Sequence, residues 1–163
     1  EEYKRKGVMP EWTLTDANGK TISSKQLKGK VYVLDFWANW CHPCKASLPG
    51  MQAAADHYKN DKNVEFLFID TQEFIPNYKE KAKAYLKEKG LNIHLVFDDK
   101  AKGAKTNNLL SDKVMKMFTV SGIPMKVVVD AKGNVRFVAI GYKGSPSALK
   151  DEMIEMVEQA KKF

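Results

Sequence analysis

Two cysteines stand two residues apart in FWANWCHPCK, Phe36 to Lys45, and they are the only cysteines among 163 residues. Cys41 and Cys44 must therefore bond each other, bind a metal together or act as reactive thiols. The run just upstream, Lys30-Val31-Tyr32-Val33-Leu34-Asp35-Phe36-Trp37, is continuously apolar, the pattern of a strand covered on both faces. Downstream, Leu48, Met51, Ala55 and Tyr58 recur at helical spacing, with Pro49 placed to kink that helix. A strand that runs straight into Cys41-His42-Pro43-Cys44 and then a helix puts Cys41 at the helix N-terminus. Unpaired N–H groups and the helix dipole there favour an anion. In such a setting a cysteine pKa falls from about 8.5 to roughly 3.5–7.5, so the thiol is nucleophilic at neutral pH. Pro43 suits a first helical turn, where its missing N–H is not needed. Cys44 lies one turn inside, less exposed and placed to attack a mixed disulfide.

Two other uses of the pair compete with this one. A purely structural bridge across so short a loop removes little chain entropy, so stability explains it poorly. A metal site needs two further ligands, and the histidines are His42, His57 and His94. His57 is about 16 residues along the same helix, or about 24 Å at 1.5 Å per residue, which takes it out of reach. His42 is held between the cysteines, and His94 is isolated in the sequence.

Asp35 is out of place as packing, because a carboxylate inside an apolar strand is desolvated and its pKa rises. It reads either as a proton acceptor for Cys44, directly or through water, or as a strand-end carboxylate paired with a lysine such as Lys126.

The elements that must position these residues alternate along the chain. Trp12–Thr15 and Thr21–Ile22 flank Asp16-Ala17-Asn18-Gly19-Lys20, a hairpin signal. Val64–Asp70 (VEFLFID) reads as a second buried strand, Asn77–Lys89 as a helix ended by Gly90, and Ile93–Phe97 as a third strand. A short helix around Ser111–Phe118 follows. Met125–Asp130 and Val135–Ile140 then bracket a turn at 131–134, and Ser145-Pro146 begins a last helix with Leu149, Met153, Met156, Val157 and Ala160 on its apolar stripe. The sum is an α/β chain with a central mixed sheet flanked by helices. Residues 1–7 read as a tail or linker and 8–163 as one domain.

Composition agrees with one soluble core: 44% of residues are apolar and 10% aromatic. Net charge is +7, yet Arg5 and Arg136 are the only arginines among 27 basic residues, which argues against base readout of nucleic acid. The lysine-rich YKEKAKAYLKEK, Tyr78 to Lys89, reads as a solvated helix face behind Tyr78, Ala82, Tyr85 and Leu86. No apolar run approaches the roughly 20 residues that span a bilayer. The opening EEYKRKG reads as a trimmed mature start, so any leader or lipid anchor would lie before position 1.

FWANWCHPCK resembles the active-site segment of the thioredoxin superfamily, and the chain around it resembles that superfamily's TlpA/ResA-type, AhpC/TSA-related branch. MPEWTLTDANGKTISSKQLKGKVYVLDFWANWCHPCKASLP is similar to the branch's N-terminal hairpin, first core strand and active-site helix, and SGIPMKVVVDAKGNVRFVAIGY to its later strands. The resemblance implies a thioredoxin-like fold with an N-terminal β-hairpin extension. It implies Cys41 as attacking thiol, Cys44 as resolving thiol, and Ile123-Pro124 as a loop whose cis proline faces the cysteines and leaves the Ile123 backbone free to pair with an extended substrate. Asp35, six residues before Cys41, matches the buried aspartate of thioredoxins. Trp40, His42 and Pro43 complete the expected substrate surface, which Trp37 would also help shape, both tryptophans reading equally as core packing. A protonated His42 would favour the thiolate and raise oxidising power. Two departures matter. Relatives of the ResA type carry an acidic residue where this chain has Ser47, and a peroxidatic site would carry Thr where it has Ala38.

The function implied is a thiol-disulfide oxidoreductase acting on protein disulfides, foremost as a reductase, with an upstream thiol electron donor, no cofactor and no metal. The chain reads as a monomer, and the resemblance implies a setting outside the bacterial cytoplasm, in the periplasm or on the outer face of a membrane, with any tether outside this fragment. A thiol peroxidase of the AhpC/TSA type and a metallochaperone-like module holding a soft ion such as Cu(I) are the alternatives.

Overall fold

The computed structural model describes residues 3–163. In chain order the elements are β1 (Lys4–Val8), β2 (Thr13–Asp16), β3 (Thr21–Ser23), a 3₁₀ turn (Lys25–Leu27), β4 (Val31–Trp37), α1 (His42–His57), β5 (Val64–Asp70), α2 (Tyr78–Glu88), β6 (Leu95–Phe97), α3 (Leu109–Phe118), β7 (Met125–Val129), β8 (Asn134–Ile140) and α4 (Pro146–Ala160). The strands form one mixed sheet in the order β1-β8-β7-β4-β5-β6-β2-β3. β4, β5 and β6 run parallel, while β7, β8 and β1 add antiparallel on one side and the β2–β3 hairpin on the other.

The continuous apolar run of β4 is explained by its place. All seven residues are buried, and they feed two cores by alternation: Val31, Val33 and Trp37 face α1, α2 and α4, whereas Tyr32, Leu34 and Phe36 face α3, Trp12 and Leu27. Asp35 belongs to the first set, so its side chain is on the face that also holds Cys44 and Leu48. Contact between α1 and α4 on that face depends on Gly50, where a Cβ would come within 2.8 Å of the Pro146 carbonyl oxygen. α1 continues through Pro49, which stands exposed. Ser145 caps α4, its hydroxyl accepting from Ala148 N at 3.2 Å, with Pro146 in the first turn as its spacing predicted.

The expected tail is corrected in part. Residues 1 and 2 lie outside the described residues, but Lys4–Val8 pair antiparallel with β8, Lys4 opposite Phe137 and Val8 opposite Asn134. The charged sequence hides this strand because it is an edge: its residues alternate between half-buried and exposed, and backbone pairing rather than side-chain burial holds it.

Candidate active site

β4 ends at Trp37, and Ala38, Asn39 and Trp40 turn the chain into α1, with Cys41 N donating to Ala38 O at 3.1 Å. Cys41 is the N-cap residue of α1. Its backbone is extended (φ −91°, ψ 103°), and its sulfur accepts from Cys44 N at 3.3 Å. The two cysteines are joined by a disulfide, with Cα atoms 5.2 Å apart. Cys44 is fully buried and Cys41 is 4% exposed, while His42 and Pro43 are exposed beside them. The side of the pair that meets solvent is therefore Cys41, at the end of the helix where N–H groups gather.

The second wall is the loop before β7. The Ile123–Pro124 peptide bond is cis, as the resemblance implied, and Ile123 O lies 3.8 Å from Cys41 Sγ. Gly122 before it has φ +112°, with Ile140 Cγ2 3.3 Å from where a Cβ would sit, so a side chain there would be strained and crowded.

The third wall was missed in the sequence. The segment after β5 is bonded to the turn after β4 at three points: Thr71 N donates to Trp37 O at 2.8 Å, Asn39 N to the Glu73 carboxylate at 2.8 Å, and the Trp40 indole Nε1 to Gln72 O at 2.7 Å. Gln72 holds φ +56°, uncommon for a residue other than glycine. Behind it, Asn107 accepts from Glu73 N and donates to Asp70 O, and Asp98 accepts from Leu110 N, Ser111 N, Asp99 N and the Thr71 hydroxyl. Asp98 thereby satisfies the first turn of α3, whose own preceding residue Asn108 provides no side-chain cap. The signal that was available, acidic residues ending apolar strands at Asp70 and Asp98, is the same one that singled out Asp35.

Asp35 is 1% exposed, and neither carboxylate oxygen has a hydrogen-bond partner among the described residues. Burial pushes its carboxyl up from 3.8 to about 7, and the charge of Lys126 holds it from rising further. Lys126 is 2% exposed and directly opposite on β7, yet its ammonium donates to Gly141 O at 3.2 Å and sits 5.8 Å from the Tyr142 ring centroid. Desolvation lowers the Lys126 pKa, against the pull of Asp35 and Glu152. The two groups thus interact through the low-dielectric interior without closing an ion pair. The carboxyl of Asp70, beside Trp37 on β5, is pushed well up from the usual range by burial and by the Glu73 carboxylate.

Other residues take structural places. Ser47 is buried, its hydroxyl donating to Cys44 O at 2.8 Å, which leaves no acid at that position. Ala38 is buried and brings no hydroxyl to Cys41. His94 is 2.9 Å from the Asp16 carboxylate at the hairpin edge, and His57 ends α1 far from its capped start.

A strand, a thiol pair capping the following helix and a facing cis-proline loop define the class: a thioredoxin-fold domain built for thiol-disulfide exchange. The chain belongs to the AhpC/TSA family, which its residues 6–138 match. It is 30% identical over 132 residues to the thiol-disulfide oxidoreductase ResA of Bacillus subtilis and 31% identical to ResA of Bacillus cereus; each match takes in 81% of this chain and 65% and 67% of the respective relative. The chain thus spans about two thirds of the length of these relatives. Among solved structures it superposes on a thioredoxin-family thiol:disulfide interchange protein from Chlorobium tepidum with a TM-score of 0.69 at 25% identity, covering 96% of this chain and 97% of that one. StoA from Bacillus subtilis shares the fold at a TM-score of 0.64 and 23% identity, over 90% and 98%. No helix among the described residues is long and apolar enough to cross a membrane.

Proposed function

We propose that this protein is a reductase of protein disulfides. The observation that carries the reading is Cys41 as the cap of α1, its sulfur receiving the Cys44 N–H and standing 3.8 Å from the Ile123 carbonyl. In the reduced protein, the Cys41 thiolate attacks one sulfur of a substrate disulfide. A Cys41–substrate bond forms, the substrate disulfide breaks and the other substrate sulfur leaves as thiolate. Cys44 then gives its proton to Asp35 and attacks Cys41 Sγ, restoring the Cys41–Cys44 disulfide and releasing the second substrate thiolate. A carboxyl poised at about 7 suits a proton taken up and lost near neutral pH. The backbone of Ile123 supports an extended substrate main chain beside Cys41, while Trp40, His42, Pro43 and Pro124 shape the surface around it. The supply of electrons is a thiol donor, the setting extracytoplasmic, the protein a monomer, and the folded unit includes β1 with the rest of the chain.

The decisive measurement is the reduction potential of the Cys41–Cys44 pair. A reductase lies near the thioredoxin value of about −270 mV, and a value near −120 mV would mark an oxidant, since about 30 mV is a tenfold shift in equilibrium. Failure of the reduced protein to exchange with any peptide disulfide would overturn the reading altogether.

A further inference from the structure

The exchange reaction accounts for the disulfide, Asp35, the Ile123 edge and Trp40 beside Cys41, but not for the apolar side chains that the turn after β5 displays next to Trp40. Trp40 is 52% exposed, Phe74 is 71% exposed and Ile75 is 39% exposed. Trp40 and Phe74 are in contact, their ring centroids 5.8 Å apart. Together with Tyr85 and the stems of Lys45 and Lys81 they line a groove of about 390 Å³. The Lys45 ammonium sits over the Tyr85 ring, 4.3 Å from its centroid.

This patch is held rigidly. Gln72 takes its left-handed backbone to turn the chain, its carbonyl receives the Trp40 indole, and Glu73 turns inward to receive Asn39 N, which leaves Phe74 and Ile75 facing solvent. The Asp98, Asn107 and Thr71 bonds brace that turn from behind. An uncommon backbone conformation at a loop that displays contiguous apolar side chains is the arrangement of a binding surface, because neither the strain nor the exposure stabilises the monomer.

Resting on the reductase reading, we propose that the Trp40–Phe74–Ile75 groove is a specificity subsite that receives a large apolar side chain, aromatic or aliphatic, from the partner protein within two or three residues of its reacting cysteine. Continuity with the reaction centre selects this occupant. Trp40 is bonded to Cys41, so a chain whose sulfur reaches Cys41 passes over Trp40 and presents its next side chains to the groove. With the main chain paired at Ile123 on one side and a side chain anchored on the other, the substrate cysteine is fixed in register over Cys41.

The test uses the reduced protein and two peptide disulfides, each a dimer through a single cysteine, with Phe or with Ser two residues to either side of it. The wild type is expected to prefer the Phe peptide by about tenfold in the second-order rate constant of this single-turnover exchange, as burial of part of a large side chain dictates. In Phe74→Ser/Ile75→Ser that preference should fall to about one, whereas Phe74→Leu should retain most of it. Each comparison is a ratio within one variant, and a circular dichroism spectrum and Tm close to the wild type's show that the ratio is that of the folded protein. A wild-type ratio near one, or a ratio that survives the double substitution, would overturn the groove while leaving the reductase reading in place. If neither peptide reacts although both thiols titrate as free, the oxidoreductase reading fails and the groove fails with it.

Discussion

Asp35 on β4 and Lys126 on β7 are direct cross-strand partners, both buried, and their charged groups do not touch. The lysine ammonium is drawn to Gly141 O instead. The carboxyl is left with burial as its dominant influence and one cation as its moderator, and it titrates at about 7. The lysine that the sequence offered as a partner for Asp35 is its cross-strand neighbour but closes no ion pair with it.

Asp35→Asn should slow resolution of the Cys41-linked mixed disulfide by about 10²-fold, less if water relays the proton, while changing the first attack much less. In the wild type the release rate should rise with pH through a midpoint near 7, and this step should be absent in the variant. Stopped-flow traces of attack and release at a series of pH values check both.

The same substitution has a sign on stability. A carboxyl with a folded pKa above its unfolded value binds its proton more tightly when folded, so stability is lost as pH rises from near 3.8 to about 7. Asp70 and Asp98 shift in the same direction, so the wild-type curve alone does not isolate Asp35. Urea midpoints of the oxidised wild type and Asp35→Asn should nearly coincide at pH 4 and separate at pH 8, with the variant more stable. A variant less stable at pH 8 would show that the carboxylate is held by contacts.

Lys126→Met removes the cation that favours ionised Asp35, so the midpoint of the release profile should move above 7, and release at pH 7 should slow by roughly three- to tenfold. An unchanged midpoint would mean that the two charges are screened from each other. The Asp35→Asn/Lys126→Met double variant should be no slower than Asp35→Asn alone.

Cys44→Ser should accumulate a mixed disulfide through Cys41, and Cys41→Ser should not, because Cys41 caps the helix at the surface and Cys44 is fully buried. Intact-mass analysis after alkylation reads the outcome; adducts forming on Cys44 would reverse the assigned roles.

Asp98→Ala leaves the N–H groups of Leu110 and Ser111 short of an acceptor in the interior, while the Thr71 hydroxyl keeps Asn107 O. A loss of about 2–4 kcal/mol is expected, which lowers Tm by roughly 5–10 °C in a chain of this size. Hydrogen exchange should quicken at Thr71–Phe74 as well as at the start of α3, since one carboxylate braces both.

Local chemistry was enough, within the sequence itself, to determine where the cysteine pair stands and which strand and helix carry it. A run apolar but for one carboxylate reads as a strand covered on both faces, a strand leading into CHPC and an apolar helical repeat leaves Cys41 at a helix N-terminus, and the carboxylate inside that strand is desolvated. Each conclusion needs only neighbours a few positions away. The order of all eight strands, the recruitment of Lys4–Val8 as an edge, the turn of Lys126 toward Gly141 and the brace of Asp98, Asn107 and Thr71 under Trp40 were decided by tertiary structure alone. They rest on backbone pairing and hydrogen bonds between residues tens of positions apart, which composition and periodicity do not encode. A polar loop such as 98–108 looks like a connector until the fold brings its carboxylate to a helix end and its amide to the turn that follows β5.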